Sequence, residues 1–552
     1  MVLTETVQDY STQAAQSFIQ TAVFVDDRIY QSAPASGGAP KQVLAPKLRK
    51  MASRRLSTEG DQSQVAPEAV PEEDPAPDSY DIVNSFAKKQ IVCSLYQPKK
   101  PASFGPASDI FPLCRAADVV IVDWDLFGDK GQRALELIDG LIVQALKDVP
   151  EQLRLILVYT QEPNLFGVAN EIYQKVHPSI GDSFRPLQEE EGLAFHTDNS
   201  RVAVLGKPGR ERVDIDPRHV VNEIHLADVA VREFAKLASG IMHATALLGL
   251  AEIRKNSRKI LSKFNRDLDP AFLTHLAMSL PGEDASSHVI PLLVSEIEAV
   301  LEDALPKPLI RENIFRDWCQ NVWTPGEHLG SVLNQEGLNY REIAEDICTL
   351  GFKKAREKNS VIPKLSEVKN TRKAAKVLLP TEGSDANHRF SHLMASRTFY
   401  GATQRSLKLG SIVYDVNLNQ YLVCIQPVCD SVRLEEPRAF VFVRLVESEQ
   451  NGGNYMSHVI FKPDGSPVEL IYQPKSYLCF AASFSPDKAT QEVIAQTGED
   501  GEIYFIDSAK KRYVWVDQLR TSHAQRVVER FASDLSRVGL TESEWLRRLQ
   551  KS

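Results

Sequence analysis

Short runs of Val, Ile, Leu and Phe, each closed by polar residues, recur along the first part of the chain: TAVFVDD (21–27), IVCSLYQ (91–97), DVVIVD (118–123), LRLILVYT (153–160) and RVAVLGK (201–207). Between them the apolar positions take helical spacing, predicting helices over 80–89, 107–117, 131–149 and 164–176, with another over 2–20. Strands this continuously apolar belong to a parallel sheet covered by helices on both faces. Five of them alternating with helices predict a doubly wound α/β domain, and we place it over residues 1–240.

One stretch breaks the alternation. Between Gln31 and Asp78 there is no aromatic residue, seven prolines appear, and a basic half is followed by an acidic half. Such a segment buries too little apolar surface to offset the entropy of ordering it, so residues 31–79 read as a disordered insertion. After Asp216 the pattern turns helical, with one long apolar-periodic stretch over 220–264 and further helices to about residue 378; this is the expected helical region, 241–395. Residues 396–552 read as a β-rich domain, with strands SIVYDV, YLVCIQPV, AFVFVRLV, HVIFK and EIYFID. It is closed by the C-terminal helices HAQRVVERFASDLSRVG and SEWLRRLQ.

Composition narrows the function classes. The chain has 552 residues, a size that calls for several domains, and its formal net charge of −9 gives no global attraction to nucleic acid or to an anionic membrane. Seven scattered cysteines form no paired C-x-x-C set, which argues against a disulfide framework or a zinc site. The start MVLTETVQDYSTQ lacks the basic and apolar regions of a signal peptide, and no run reaches the roughly 18 apolar residues of a membrane span, so a cytoplasmic protein is expected.

The chemistry lies at the strand ends, where open parallel sheets bind ligands. The first strand ends in Asp26 and Asp27, the third in Asp123 followed by Trp124 and Asp125, the fourth in Thr160 and the fifth in Lys207. Carboxylates are the ligands Mg²⁺ takes from proteins, and a carboxylate can also act as a nucleophile toward phosphorus. A hydroxyl and an ammonium then stabilise the charge on the transferring group.

An acid pair, an aspartate, a threonine and a lysine in this order resemble the receiver domain of two-component response regulators, over roughly residues 18–240. The resemblance implies a flavodoxin-like fold with Asp123 as phosphoacceptor. It implies Mg²⁺ held by Asp26, Asp27, Asp123 and the backbone carbonyl of Asp125, with Thr160 and Lys207 contacting the phosphoryl group. It also implies a sensor histidine kinase as partner. Val204 stands where the family often has a switching aromatic, and the 31–79 insertion and the Thr160-to-Lys207 interval are unusually long. A large receiver with no recognisable effector enzyme further resembles the receiver-only component of bacterial anti-phage systems such as Detocs, which implies a phosphate buffer beside a second receiver-effector protein.

Two rival readings stay open. VIVDWDLFGDKG fits loosely the D-x-D element of haloacid dehalogenase-like phosphatases, in which Asp125 joins Asp123, although no Gly-Thr follows it. LNYREIAEDICTLGF (338–352) resembles the start of a helix-turn-helix. The nine Lys or Arg against two Glu over 353–376 then suggest a DNA-binding response regulator, or else a solvated helical face.

Overall fold

The computed structural model describes residues 6–30, 77–100, 103–144, 152–187, 192–210, 212, 215–278, 286–305, 309–379, 386–401, 404–448, 457–473 and 478–535. The expected insertion lies outside these residues except for its last three positions, and so does the segment SEWLRRLQ. The chain divides into two compact units, Met1–Asn321 and Val322–Ser552.

In the first unit, five parallel strands stand in the order β2 (Val92–Tyr96), β1 (Thr21–Val25), β3 (Val119–Val122), β4 (Arg154–Thr160) and β7 (Ser200–Gly206). This is the 2-1-3-4-5 order of flavodoxin-like sheets. Two short strands, β5 (Arg185–Pro186) and β6 (Ala194–His196), extend the β7 edge in antiparallel pairing. They occupy the long interval after Thr160, where the sequence reading expected no strand; at two and three residues they are too short to show a period.

Side chains alternate along each strand between two cores, which is why every position reads apolar. Ala22, Phe24, Val119, Ile121, Leu155 and Leu157 face one core. Val23, Val25, Val120, Val122, Ile156 and Val158 face the other. Each buried Val, Ile, Leu or Phe among them contributes roughly 1.5–3 kcal/mol. The first core is covered by α1 (Val7–Phe18) and α2 (Ser79–Lys88), and the second by α3 (Ile110–Ala116), α4 (Gln132–Asp139) and α5 (Leu165–Ile180). Helix α2 is capped by Asp78, whose carboxylate accepts the N–H groups of Tyr80 and Asp81.

The long stretch expected over 220–264 is two helices, α6 (Leu226–Leu237) and α7 (Ile241–Lys263), separated at Gly240, whose φ of 120° no helix accepts. Both pack on the first core, and Tyr10 of α1 is hydrogen-bonded to Thr245 of α7 at 2.9 Å. The first unit therefore continues past residue 240, where the sequence reading placed a domain boundary, through α8 (Asp269–Met278), α9 (Ser286–Ala304) and α10 (Glu312–Asp317).

The second unit holds helices α11 (Leu329–Leu333), α12 (Tyr340–Lys358), α13 (Val368–Lys376) and α14 (Ala386–Ala395), then an antiparallel sheet of nine strands. The five expected strands correspond to β8 (Ser411–Asp415), β9 (Gln420–Cys424), β10 (Arg438–Glu447), β11 (Ser457–Phe461) and β15 (Ile503–Ile506). Four more, β12 (Pro467–Tyr472), β13 (Cys479–Phe484), β14 (Gln496–Thr497) and β16 (Arg512–Gln518), join them. The expected helix HAQRVVERFASDLSRVG corresponds to α15 (Thr521–Leu535), and β16 precedes it in a stretch for which the sequence reading named no strand. The proposed helix-turn-helix start is α12, with Ile343, Ala344 and Ile347 buried and a break at Gly351, where φ is 73°.

Candidate functional site

The period-two alternation decides what faces what at the strand ends. Asp26 and Asp123 follow strands in register, Val25 beside Val122, so their carboxylates emerge level with each other and on the same side of the sheet. Lys207 has the same parity on β7 but leaves the sheet further along, because Val158 pairs with Val122 on one side and Val204 on the other. Its long side chain spans the gap. Lys207 Nζ donates to Asp26 Oδ2 at 3.0 Å and lies 2.9 Å from Asp123 Oδ1.

The cluster is almost dry. Asp26 is 0% exposed, and Asp123 and Lys207 are each 2% exposed. Burial pushes the Asp123 carboxyl up to about 6; Lys207 pulls it down and the neighbouring Asp26 pushes it up again. Burial also raises the Asp27 carboxyl, against the Phe127 N–H that it accepts at 2.9 Å. For Lys207, burial opposes the charge, yet Asp123 and Asp26 outweigh it and hold the ammonium above the ordinary lysine value.

Carboxylate oxygens of Asp26, Asp27 and Asp123 lie within 4.8 Å of one another. Asp27 Oδ1 and Asp123 Oδ2 are buried with no hydrogen-bond partner among the described residues. Hard oxygen donors left without hydrogen bonds beside a third carboxylate fit a divalent cation of the Mg²⁺ type. A cation the sequence reading passed over also reaches this cluster: Arg28, with its guanidinium 3.6 Å from Asp123 Oδ2 and 3.9 Å from both Asp26 Oδ1 and Asp27 Oδ1. A basic residue directly after two acids was its signal.

The other expected residues are placed differently. Thr160 is buried at the end of β4, where its Oγ1 accepts the N–H of Glu162 at 3.0 Å. Asp125 turns its carboxylate into its own loop, accepting the Lys130 N–H at 2.8 Å. A second overlooked residue, Arg212, ties the two strand ends together. Its guanidinium donates to the carbonyls of Lys207, Glu162 and Thr160 at 2.8, 3.2 and 3.2 Å. Gly206 makes room for it, since a Cβ there would lie 2.8 Å from Arg212 Cζ. Arg212 does this from just beyond the end of β7, and no pattern in the sequence marks it.

The site stands between β1 and β3, the point at which strand order reverses and where open α/β sheets place their ligands. Among the described residues no helix is long and apolar enough to cross a membrane. No curated protein and no solved structure matches the chain. Residues 18–212 match the family model of the response receiver domain, and this span begins just before β1 and closes at Arg212. With its five-stranded parallel order and the acid cluster at the strand ends, this part of the chain is a response-regulator receiver domain.

Proposed function

We propose that Asp123 accepts a phosphoryl group from a partner sensor histidine kinase, with Mg²⁺ held by Asp26, Asp27, Asp123 and the backbone carbonyl of Asp125. The observation that carries this reading is the approach of three carboxylates to within 4.8 Å with Lys207 bridging two of them. An Asp123 carboxylate oxygen attacks phosphorus as the phosphorus–nitrogen bond of the donor phosphohistidine breaks, and the imidazole leaves with the bonding electron pair. Mg²⁺, when bound, supplies charge neutralisation for the phosphoryl oxygens. Lys207 follows the charge from the carboxylate to the phosphoryl oxygens, and the Thr160 hydroxyl donates to one of them. Arg212 fixes the backbone from which both residues extend.

Asp125 is the weaker nucleophile because its carboxylate is engaged by Lys130, which also counts against the dehalogenase-like phosphatase reading. The finer role we propose is a phosphate buffer in an anti-phage two-component system, in which this chain competes with a second receiver-effector for the same kinase. Incubation with Mg²⁺ and a small phosphoryl donor is expected to label the chain once. Asp123→Asn abolishes the label and Asp125→Asn retains it; label lost only in Asp125→Asn would move the nucleophile, and label kept in both would end the reading.

A further inference from the structure

Helices α7, α8 and α9 carry a surface out of proportion to what they bury. Helix α8, sequence DPAFLTHLAM, buries none of its residues. Leu261, Leu273, Met278, Ile290, Leu292 and Val294 are between 55% and 84% exposed. A helix that is apolar around most of its circumference is normally covered, and contiguous exposed apolar surface marks an interaction face. Within the chain, α9 lies back along α7: Leu301 approaches Gly249, and Lys263 pairs with Glu296. Among the described residues, that contact leaves the outer surface of the hairpin open.

The charges indicate what covers it. The second half of α7 carries Arg254, Lys255, Arg258, Lys259 and Lys263 against Glu252, whereas α9 carries Glu296, Glu298, Glu302 and Asp303 with no Lys or Arg. Arg254 is spent on Asp118, Lys255 on Glu252 and Lys263 on Glu296. Arg258, Lys259, Glu298 and Glu302 are exposed, with no ionic partner among the described residues. The hairpin therefore presents one basic and one acidic edge beside an apolar surface, a self-complementary set. We propose that it pairs with the same hairpin of a second copy about a twofold axis, α7 of each chain against α9 of the other. Such an isologous interface uses each edge twice and buries the apolar side chains of both copies. An anionic bilayer would attract α7 and repel α9, so it does not fit both edges.

The test uses the full chain. Light scattering across roughly 1–100 µM is expected to find a dimer that dissociates on dilution, by mass action. Leu273→Glu with Leu292→Glu leaves a monomer whose circular dichroism and beryllofluoride loading at Asp123 match wild type. Two further chains separate contact across copies from contact within one. Arg258→Glu with Lys259→Glu reverses the two unpaired charges of the α7 edge, and Glu298→Lys with Glu302→Lys reverses those of the α9 edge. Each alone is expected to dimerise at least tenfold more weakly, and an equimolar mixture to recover the affinity as a heterodimer. A wild-type monomer throughout, an undiminished dimer in the leucine variant, no recovery on mixing, or a monomer that binds anionic vesicles would each overturn the proposal.

Discussion

Asp123 pairs with a lysine it cannot fully use, because Asp26 competes for the same ammonium and both carboxylates are buried. Its carboxyl rises to about 6, whereas in the unfolded chain it titrates near the ordinary aspartate value of about 3.9. The folded chain thus binds this proton more tightly than the unfolded one. The group costs nothing while both states are protonated, and it removes stability as pH rises through about 6, by roughly 3 kcal/mol for a shift of that size. In a chelating buffer, Asp123→Asn is therefore expected to raise the melting temperature clearly at pH 8 and hardly at all at pH 4. Adding Mg²⁺ should stabilise wild type more than the variant. A variant that melts below wild type at pH 8 in chelator would show that the ion pair with Lys207 outweighs the burial of charge.

At the scale of elements, period two is the main determinant. It sends Asp26, Asp123 and Lys207 to one side of the parallel sheet, but only because the register of the strands matches their parities, which strands apolar on both faces do not reveal. Which strands lie side by side does not follow, because apolar runs of four to seven residues are interchangeable partners. The antiparallel sheet was harder to read: PVELIY and CFAASF show no clear alternation of apolar and polar residues, and their pairing with β10 is what makes them strands. His458 shows what that pairing imposes. It lies on β11, opposite Leu470, 2% exposed, and neither ring nitrogen has a hydrogen-bond partner among the described residues. Burial, with His523 and Arg526 nearby, lowers its pKa to about 4. Above about pH 6.5 the imidazole is neutral in both states and contributes no pH dependence. Below that the unfolded chain takes up a proton that the folded one refuses, and stability falls by roughly 3 kcal/mol on the way to pH 4. His458→Leu is expected to flatten the acid limb of urea unfolding for the second unit; an unchanged slope between pH 6.5 and 4.5 would refute this.

At the scale of the whole molecule, the two units have separate cores. The clusters on either side of the parallel sheet draw only on the first unit, and those flanking the antiparallel sheet only on residues from Leu407 onward. Units that share no core unfold as separate cooperative blocks. Calorimetry of the full chain is expected to resolve two transitions, with Mg²⁺ and beryllofluoride raising the one that belongs to the receiver unit. A single transition that moves as a whole would mean that the units are energetically one. The sequence by itself determined the α/β class of the first unit, the change to an antiparallel β-rich pattern further on, and the residue types at the strand ends. Each of these is local: a period of two or 3.6, a run of Val and Ile, an acid where the apolar run stops. Only the tertiary structure decided that β1 lies between β2 and β3, and that Lys207 reaches across two strands to Asp26. It also decided that Arg28 and Arg212 join the site and that α7 belongs with the receiver unit. Those outcomes depend on register and packing between segments far apart in the chain, where many pairings satisfy the same local pattern and only burial of the whole set selects one.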